Sequence, residues 1–121
     1  MQGKPTLHYF NFYAKGEPIR MALYKAGVEY TNNVVTFEQW EAFKPSPKLP
    51  YAQMPVLELE DGTSIAQMSS ILTLLAELYP QLKSADPILN AKADSIAKYA
   101  YDDTHNKIGP MSFSEDADQA T

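Results

Sequence analysis

Cysteine is absent from the 121 residues. That excludes disulfide frameworks, thiolate zinc sites, cysteine nucleophiles and CxxC redox chemistry. No run of Lys or Arg occurs, and 10 basic against 15 acidic side chains leave a formal charge of −5. This balance argues against nucleic acid or an anionic lipid surface as the partner. No apolar run approaches the roughly 18 residues needed to span a membrane. Met1-Gln2-Gly3-Lys4-Pro5 leads straight into a strand-like segment and lacks the apolar core of a signal peptide. There is no Asn-x-Ser/Thr sequon, no HExxH, no phosphate loop and no GxSxG. Hydrolase and nucleotide chemistry are therefore unsupported. The expectation is a soluble, cytoplasmic domain that meets neither nucleic acid nor membrane.

What is present reads as globular: 45% of residues are hydrophobic and 21% charged. Thr6 to Phe12 is aromatic-rich and predicts a first strand. Gly16-Glu17-Pro18 opens a helix with Pro in its first turn, Ile19, Ala22, Leu23 and Ala26 fall on one face, and Gly27 stops it. Val28 to Val35 predicts a second strand. Thr36 and Gln39 form a capping-box signature ahead of Phe37, Trp40 and Phe43. Pro45, Pro47 and Pro50 make Lys44 to Gln53 a loop. Pro55 to Leu59 alternates with period two, and Asp61-Gly62 turns it back into Thr63 to Ile65. Ser69 to Leu78 carries Ile71, Leu72, Leu75 and Leu78 on one stripe. Residues 80–86 read as a linker ending in Asp86 as N-cap. Pro87 begins a last helix, with Ile88, Ala91, Ile96 and Ala100 as its apolar stripe and a reach towards Lys107. The tail from Gly109 is polar and acidic and is expected to fray.

The order β-α-β-α-β-β-α, a linker and one more helix is an α/β, thioredoxin-like arrangement. The residues that sit on it carry more. Tyr9-Phe10-Asn11, Glu17-Pro18-Ile19-Arg20, Gln53-Met54-Pro55-Val56-Leu57-Glu58, Asp61-Gly62 and Gln67 recur in that order. Together they resemble the N-terminal domain of cytosolic glutathione transferases, nearest the sigma class, from Pro5 to Tyr79. The resemblance implies three divisions: residues 1–80 as a thioredoxin-like glutathione-binding domain, 81–86 as linker, and 87–121 as the first helix of an otherwise missing helical domain plus a polar tail.

It also implies a site, with glutathione as co-substrate, no metal and a small electrophile as second substrate. Tyr9 stands at the family's catalytic tyrosine. A phenol O–H aimed at sulfur stabilises the thiolate of a thiol whose free pKa is near 8.5. Pro55 matches a proline preceded by a cis bond, which turns the Met54 backbone towards the cysteinyl backbone of glutathione as an added strand would. Gln67 matches the glutamine that holds the γ-glutamyl end. The next position is usually serine and here is Met68, so the hydroxyl is lost unless Ser69 supplies it, although the helix N-terminus still favours a carboxylate. One hydrogen bond to a charged group is worth about 1.5–3 kcal/mol, so restoring serine should tighten glutathione about tenfold. Trp40 and Lys44 match positions facing the glycine carboxylate, Lys15 replaces an arginine common near the site, and Gln53 touches glutathione's backbone. Asp102 matches an acid that reaches a dimer partner's glutathione amine, with Asp103 beside it. Arg20 is structural in the family and spaced to pair with Glu17. His8 points to the strand face opposite Tyr9 and reads as a surface histidine, as does His105.

Three functions follow from this pattern. The first is conjugation of glutathione to an electrophile, by a detoxifying transferase or its glutathione-site half. The second is a non-catalytic binding or structural member of the fold, as lens-crystallin-like relatives are. The third is a glutathione-dependent isomerase or peroxidase. Tyr9 favours the first and third; Met68 and the short chain favour the second. The uncovered stripe of the last helix and the family's habit both imply a homodimer.

Overall fold

A computed structural model describes residues 3–100. Asp102, Asp103, His105 and any continuation of the last helix towards Lys107 lie outside the described residues. The elements are β1 Thr6–Phe10, α1 Glu17–Ala26, β2 Thr31–Val35, α2 Phe37–Phe43, β3 Val56–Glu58, β4 Ser64–Ala66, α3 Met68–Leu78 and α4 Pro87–Lys98. Short 3₁₀ turns at Ala14–Gly16 and Pro80–Leu82 precede α1 and follow α3. The sheet order is β2-β1-β3-β4, with β2 parallel to β1 and the other two pairings antiparallel. This is the thioredoxin-like arrangement that the sequence predicts.

Local chemistry explains the boundaries. Gly27 takes a left-handed φ of 71°, and the N–H groups of Gly27 and Val28 return to the carbonyls of Tyr24 and Leu23 at 3.0 Å each. This double closure ends α1 and commits Val28 to the helix terminus, so β2 begins at Thr31, three residues later than its β-branched run predicts. β1 likewise ends at Phe10 instead of Phe12, because Arg20 collects the carbonyls of Phe10 and Phe12 at 3.4 and 3.2 Å and turns the chain. The Thr36–Gln39 capping box forms in both directions, at 3.2 and 3.0 Å. Asp61 accepts the Thr63 N–H at 2.9 Å beside Gly62 at φ 90°, closing the β3–β4 turn.

Residue parity assigns the two sheet faces. Leu7 and Tyr9 of β1, Leu57 opposite Leu7, and Ile65 opposite Leu57 share the face carrying α1. There Leu7, Ile19, Leu23, Leu57, Ile71 and Leu75 are fully buried. His8 and Phe10 share the other face, which α2 covers: Phe43 lies 5.4 Å from the His8 ring, and Phe37 and Trp40 each lie 5.2 Å from Phe10.

His8 is therefore not a surface histidine. It is 3% exposed, because a central strand with helices on both faces has no open side. Its Nδ1 accepts the Asn33 amide N–H at 2.8 Å, and its Nε2 donates to Glu58 Oε1 at 2.8 Å. Asn33 sits directly opposite on β2, while Glu58 is the diagonal neighbour on β3.

The described residues divide into two units between Lys83 and Ser84. In the second, Asp86 accepts the Ile88 N–H at 2.9 Å and Pro87 opens α4, as expected. Ile88, Leu89 and Ile96 of α4 are exposed.

Candidate functional site

The residues that the sequence nominates lie at the end of β1, on and after α2, in the α2–β3 loop and at the start of α3. Tyr9 is one residue from the end of β1 and 4% exposed. Its hydroxyl accepts the backbone N–H of Lys15 at 3.1 Å. Gly16 lies so close beneath the ring that a Cβ there would overlap Tyr9 Cδ2 and Cγ, so glycine permits the approach. Burial pushes the Tyr9 phenol above its ordinary pKa, against the lowering pull of the Lys15 N–H, the Arg20 charge and the Gly16 N–H. At neutral pH the group is thus a phenol, an O–H donor whose lone pair is already engaged.

Arg20 supports this arrangement. Its Cζ stands 5.7 Å from the Tyr9 ring centroid, and Nη1 pairs with Glu17 at 3.3 Å, as the three-residue spacing predicts. The side chain is largely buried, and its Nε has no partner among the described residues. Phe12, unremarked in the sequence beyond its place at a strand end, packs edge-on to Tyr9 at 5.3 Å. Its alternation with Phe10 was the one available signal. A cavity of about 460 Å³ opens beside this turn, between Phe12, Tyr13, Arg20 and the β2 residues Asn32 and Val34, and neither sequence-predicted glutamine lines it.

Those glutamines meet elsewhere. Gln67 precedes α3 with φ 72° and ψ 122°, and its Nε2 reaches Gln53 Oε1 at 3.5 Å. Gln53 is followed by the cis Met54–Pro55 bond, the isomer the resemblance implies. The first turn of α3 begins at Met68 and has no side-chain cap, so its leading N–H groups have no intrahelical acceptor. Met68 itself is 5% exposed and packs in the core, with half-buried Ser69 after it. Trp40 is half-buried against Phe10, and exposed Lys44 ends α2 with its N–H on the Trp40 carbonyl at 2.8 Å. The backbone of Lys15 touches Tyr9, as above. Asp102 lies outside the described residues.

Among the described residues no cluster of three His, Asp or Glu side chains could hold a metal, and no helix is long and apolar enough to cross a membrane.

A four-stranded mixed sheet between α1/α3 and α2, with a cis-proline before β3, defines a thioredoxin-like domain. By sequence and fold the chain is a homologue of the glutathione S-transferases, matching their N-terminal part. Glutathione S-transferase 1 of Ascaris suum is 37% identical over 90 residues, covering 74% of this chain and 42% of that protein. S-crystallin 4 of Enteroctopus dofleini is 31% identical over 120 residues, covering 93% of this chain and 54% of that protein. The structure of prostaglandin synthase D of Nilaparvata lugens superposes with a TM-score of 0.82 at 28% identity, covering 98% of this chain and 57% of that one. No family model matches the chain. The chain spans about half the length of the curated relatives it matches.

Proposed function

We propose that this chain is the glutathione-site half of a glutathione transferase, with Tyr9 stabilising the glutathione thiolate for attack on an electrophile. The observation that carries the reading is the Tyr9–Lys15 contact. With its oxygen held by a backbone N–H at 3.1 Å and its pKa raised by burial, the phenol keeps its proton. That O–H hydrogen-bonds the sulfur, favouring the thiolate; the thiol proton passes to solvent, and sulfur forms the new bond to the electrophile.

The other roles follow position by position. Gln53 and the Met54 backbone pair with the cysteinyl part of glutathione. Gln67, Ser69 and the N–H groups opening α3, including that of Met68, hold the γ-glutamyl carboxylate, and Pro55 fixes the chain direction between them. Trp40, Lys44 and Lys15 face the glycine end. Asp102 serves the glutathione of a dimer partner, and the rest of the electrophile pocket belongs to a helical domain that residues 87–121 begin. The assembly is a cytoplasmic, sigma-like homodimer.

A second reading has support of its own. One relative aligned over 93% of this chain is a crystallin, and Met68 removes a hydroxyl from the site, which suits a non-catalytic member of the fold. The isomerase reading is supported by likeness to a prostaglandin synthase. Calorimetric titration with glutathione decides first: micromolar binding favours the enzymatic readings, and millimolar binding or none favours the crystallin-like one.

A further inference from the structure

The α2–β3 loop, residues 44–55, supplies Lys44, Gln53 and Met54 to the proposed site, yet it contains neither helix nor strand. Its internal bonds are a chain of small turns: Ser46 N–H to Phe43 O, Leu49 N–H to Ser46 O, and Ala52 N–H to Leu49 O, at 2.9 to 3.2 Å. Such a segment holds one shape only where something outside it ties it down. Leu49, 5% exposed, is one tie. The other is ionic. Lys48 Nζ lies 3.3 Å from Glu58 Oε1, the same oxygen that receives the His8 Nε2–H at 2.8 Å. His8 is fixed in turn by Asn33 and by the Phe43 ring at the end of α2. A line of contacts therefore runs from the buried centre of the sheet to the middle of the loop. The His8 hydrogen bond, helped by Lys48, also holds the Glu58 carboxyl below its ordinary pKa, so the anchor is charged at neutral pH.

We propose that Glu58 is a positioning residue of the glutathione site: bridging His8 to Lys48, it sets the α2–β3 loop before the tripeptide arrives. The inference rests on the reading of this site as a glutathione site. Ordering a loop in advance removes part of the cost of ordering it on binding, so the effect belongs to affinity. It does not belong to sulfur activation, because His8 and Tyr9 project from opposite faces of β1.

The test compares wild type, Lys48→Met, Glu58→Gln and Lys48→Arg as full chains. Lys48 is half exposed, so Lys48→Met leaves the core intact. Lys48→Met and Glu58→Gln are each expected to weaken glutathione binding about two- to fivefold, the range of a partly exposed ion pair. The double variant is expected to be no weaker than the weaker single one. Lys48→Arg is expected to bind within about twofold of wild type, and the pH midpoint for bound thiolate is expected to stay fixed throughout. In the ligand-free protein, amides of residues 44–54 are expected to exchange faster in Lys48→Met. Unchanged affinity with unchanged loop exchange overturns the proposal, as does a loss of affinity matched by a shifted thiolate midpoint. A wild type that binds no glutathione overturns the site reading and this proposal together, which separates the two failures.

Discussion

The Tyr9 hydroxyl and the Lys15 backbone N–H meet at 3.1 Å, six residues apart, across the turn that links β1 to α1. This contact satisfies the oxygen and leaves the phenolic hydrogen as the one group Tyr9 can offer a ligand. Tyr9→Phe is thus expected to leave glutathione bound, since the backbone and glutamine contacts remain. The pH midpoint of thiolate absorbance should rise towards the free value near 8.5. An unchanged midpoint would remove Tyr9 from the chemistry.

Met68→Ser now carries two opposed effects. Truncating a buried methionine costs about 2–5 kcal/mol of stability, while a hydroxyl at the first position of α3 adds a donor for a bound carboxylate. Calorimetric melting is expected to show a clearly lower Tm, and titration of the folded protein a glutathione affinity up to about tenfold tighter. Equal affinity would show that Ser69 already fills the role.

Glu58 gives a signed pH dependence. Its folded-state pKa is lowered, first by the His8 hydrogen bond, so its contribution is present above the unfolded carboxyl pKa and disappears as pH falls through the folded value. Wild type is therefore expected to lose more Tm than Glu58→Gln on going from neutral pH into the acid range below about 4. Parallel losses would mean that the carboxylate contributes nothing to folding.

Thr36 accepts the Gln39 N–H while Gln39 accepts the Thr36 N–H. Thr36→Ala is expected to cost about 1 kcal/mol. α2 has only seven residues, so the loss should appear as faster amide exchange across Phe37–Phe43 before it appears as global unfolding. Uniform exchange across the domain would contradict this.

The exposed Ile88, Leu89 and Ile96 predict self-association of this chain at micromolar concentration. Sedimentation should give a species near twice 13.5 kDa, and a sharp monomer would set the dimer aside.

The signals that were legible were local. The Thr36–Gln39 box, the Asp61-Gly62 turn, Asp86 ahead of Pro87 and the stripe of Ile71 and Leu75 each concern residues within four positions of one another. Each settled one element. Tyr9, Pro55 and Gln67 could be placed because several short motifs stood in register, although no single fragment identifies a site. What escaped was non-local. Alternation correctly sent His8 to the face opposite Tyr9, but nothing in β1 states that α2, some thirty residues on, closes over that face. Glu58 reads from the sequence as one member of an alternating strand, because its partners His8 and Lys48 lie 50 and 10 positions away. Met68 reads as a lost hydroxyl, and its burial among the core residues shows only in the fold.

The strand β2 has a consequence for handling the protein. It lies at one border of the sheet, and the Thr31 N–H reaches the Pro5 carbonyl at 2.8 Å, so Thr31, Asn33 and Val35 turn their amides inward to β1. Asn32 and Val34 accordingly present theirs outward. From Tyr30 to Thr36 this border carries no charge and no proline, the two features that most often discourage a foreign strand from adding itself there. Concentrated or partly unfolded material is therefore expected to deposit through this border. Asn32→Lys, which sets an ammonium on it at the edge of the cavity that Phe12 and Arg20 line, is the substitution to raise working solubility.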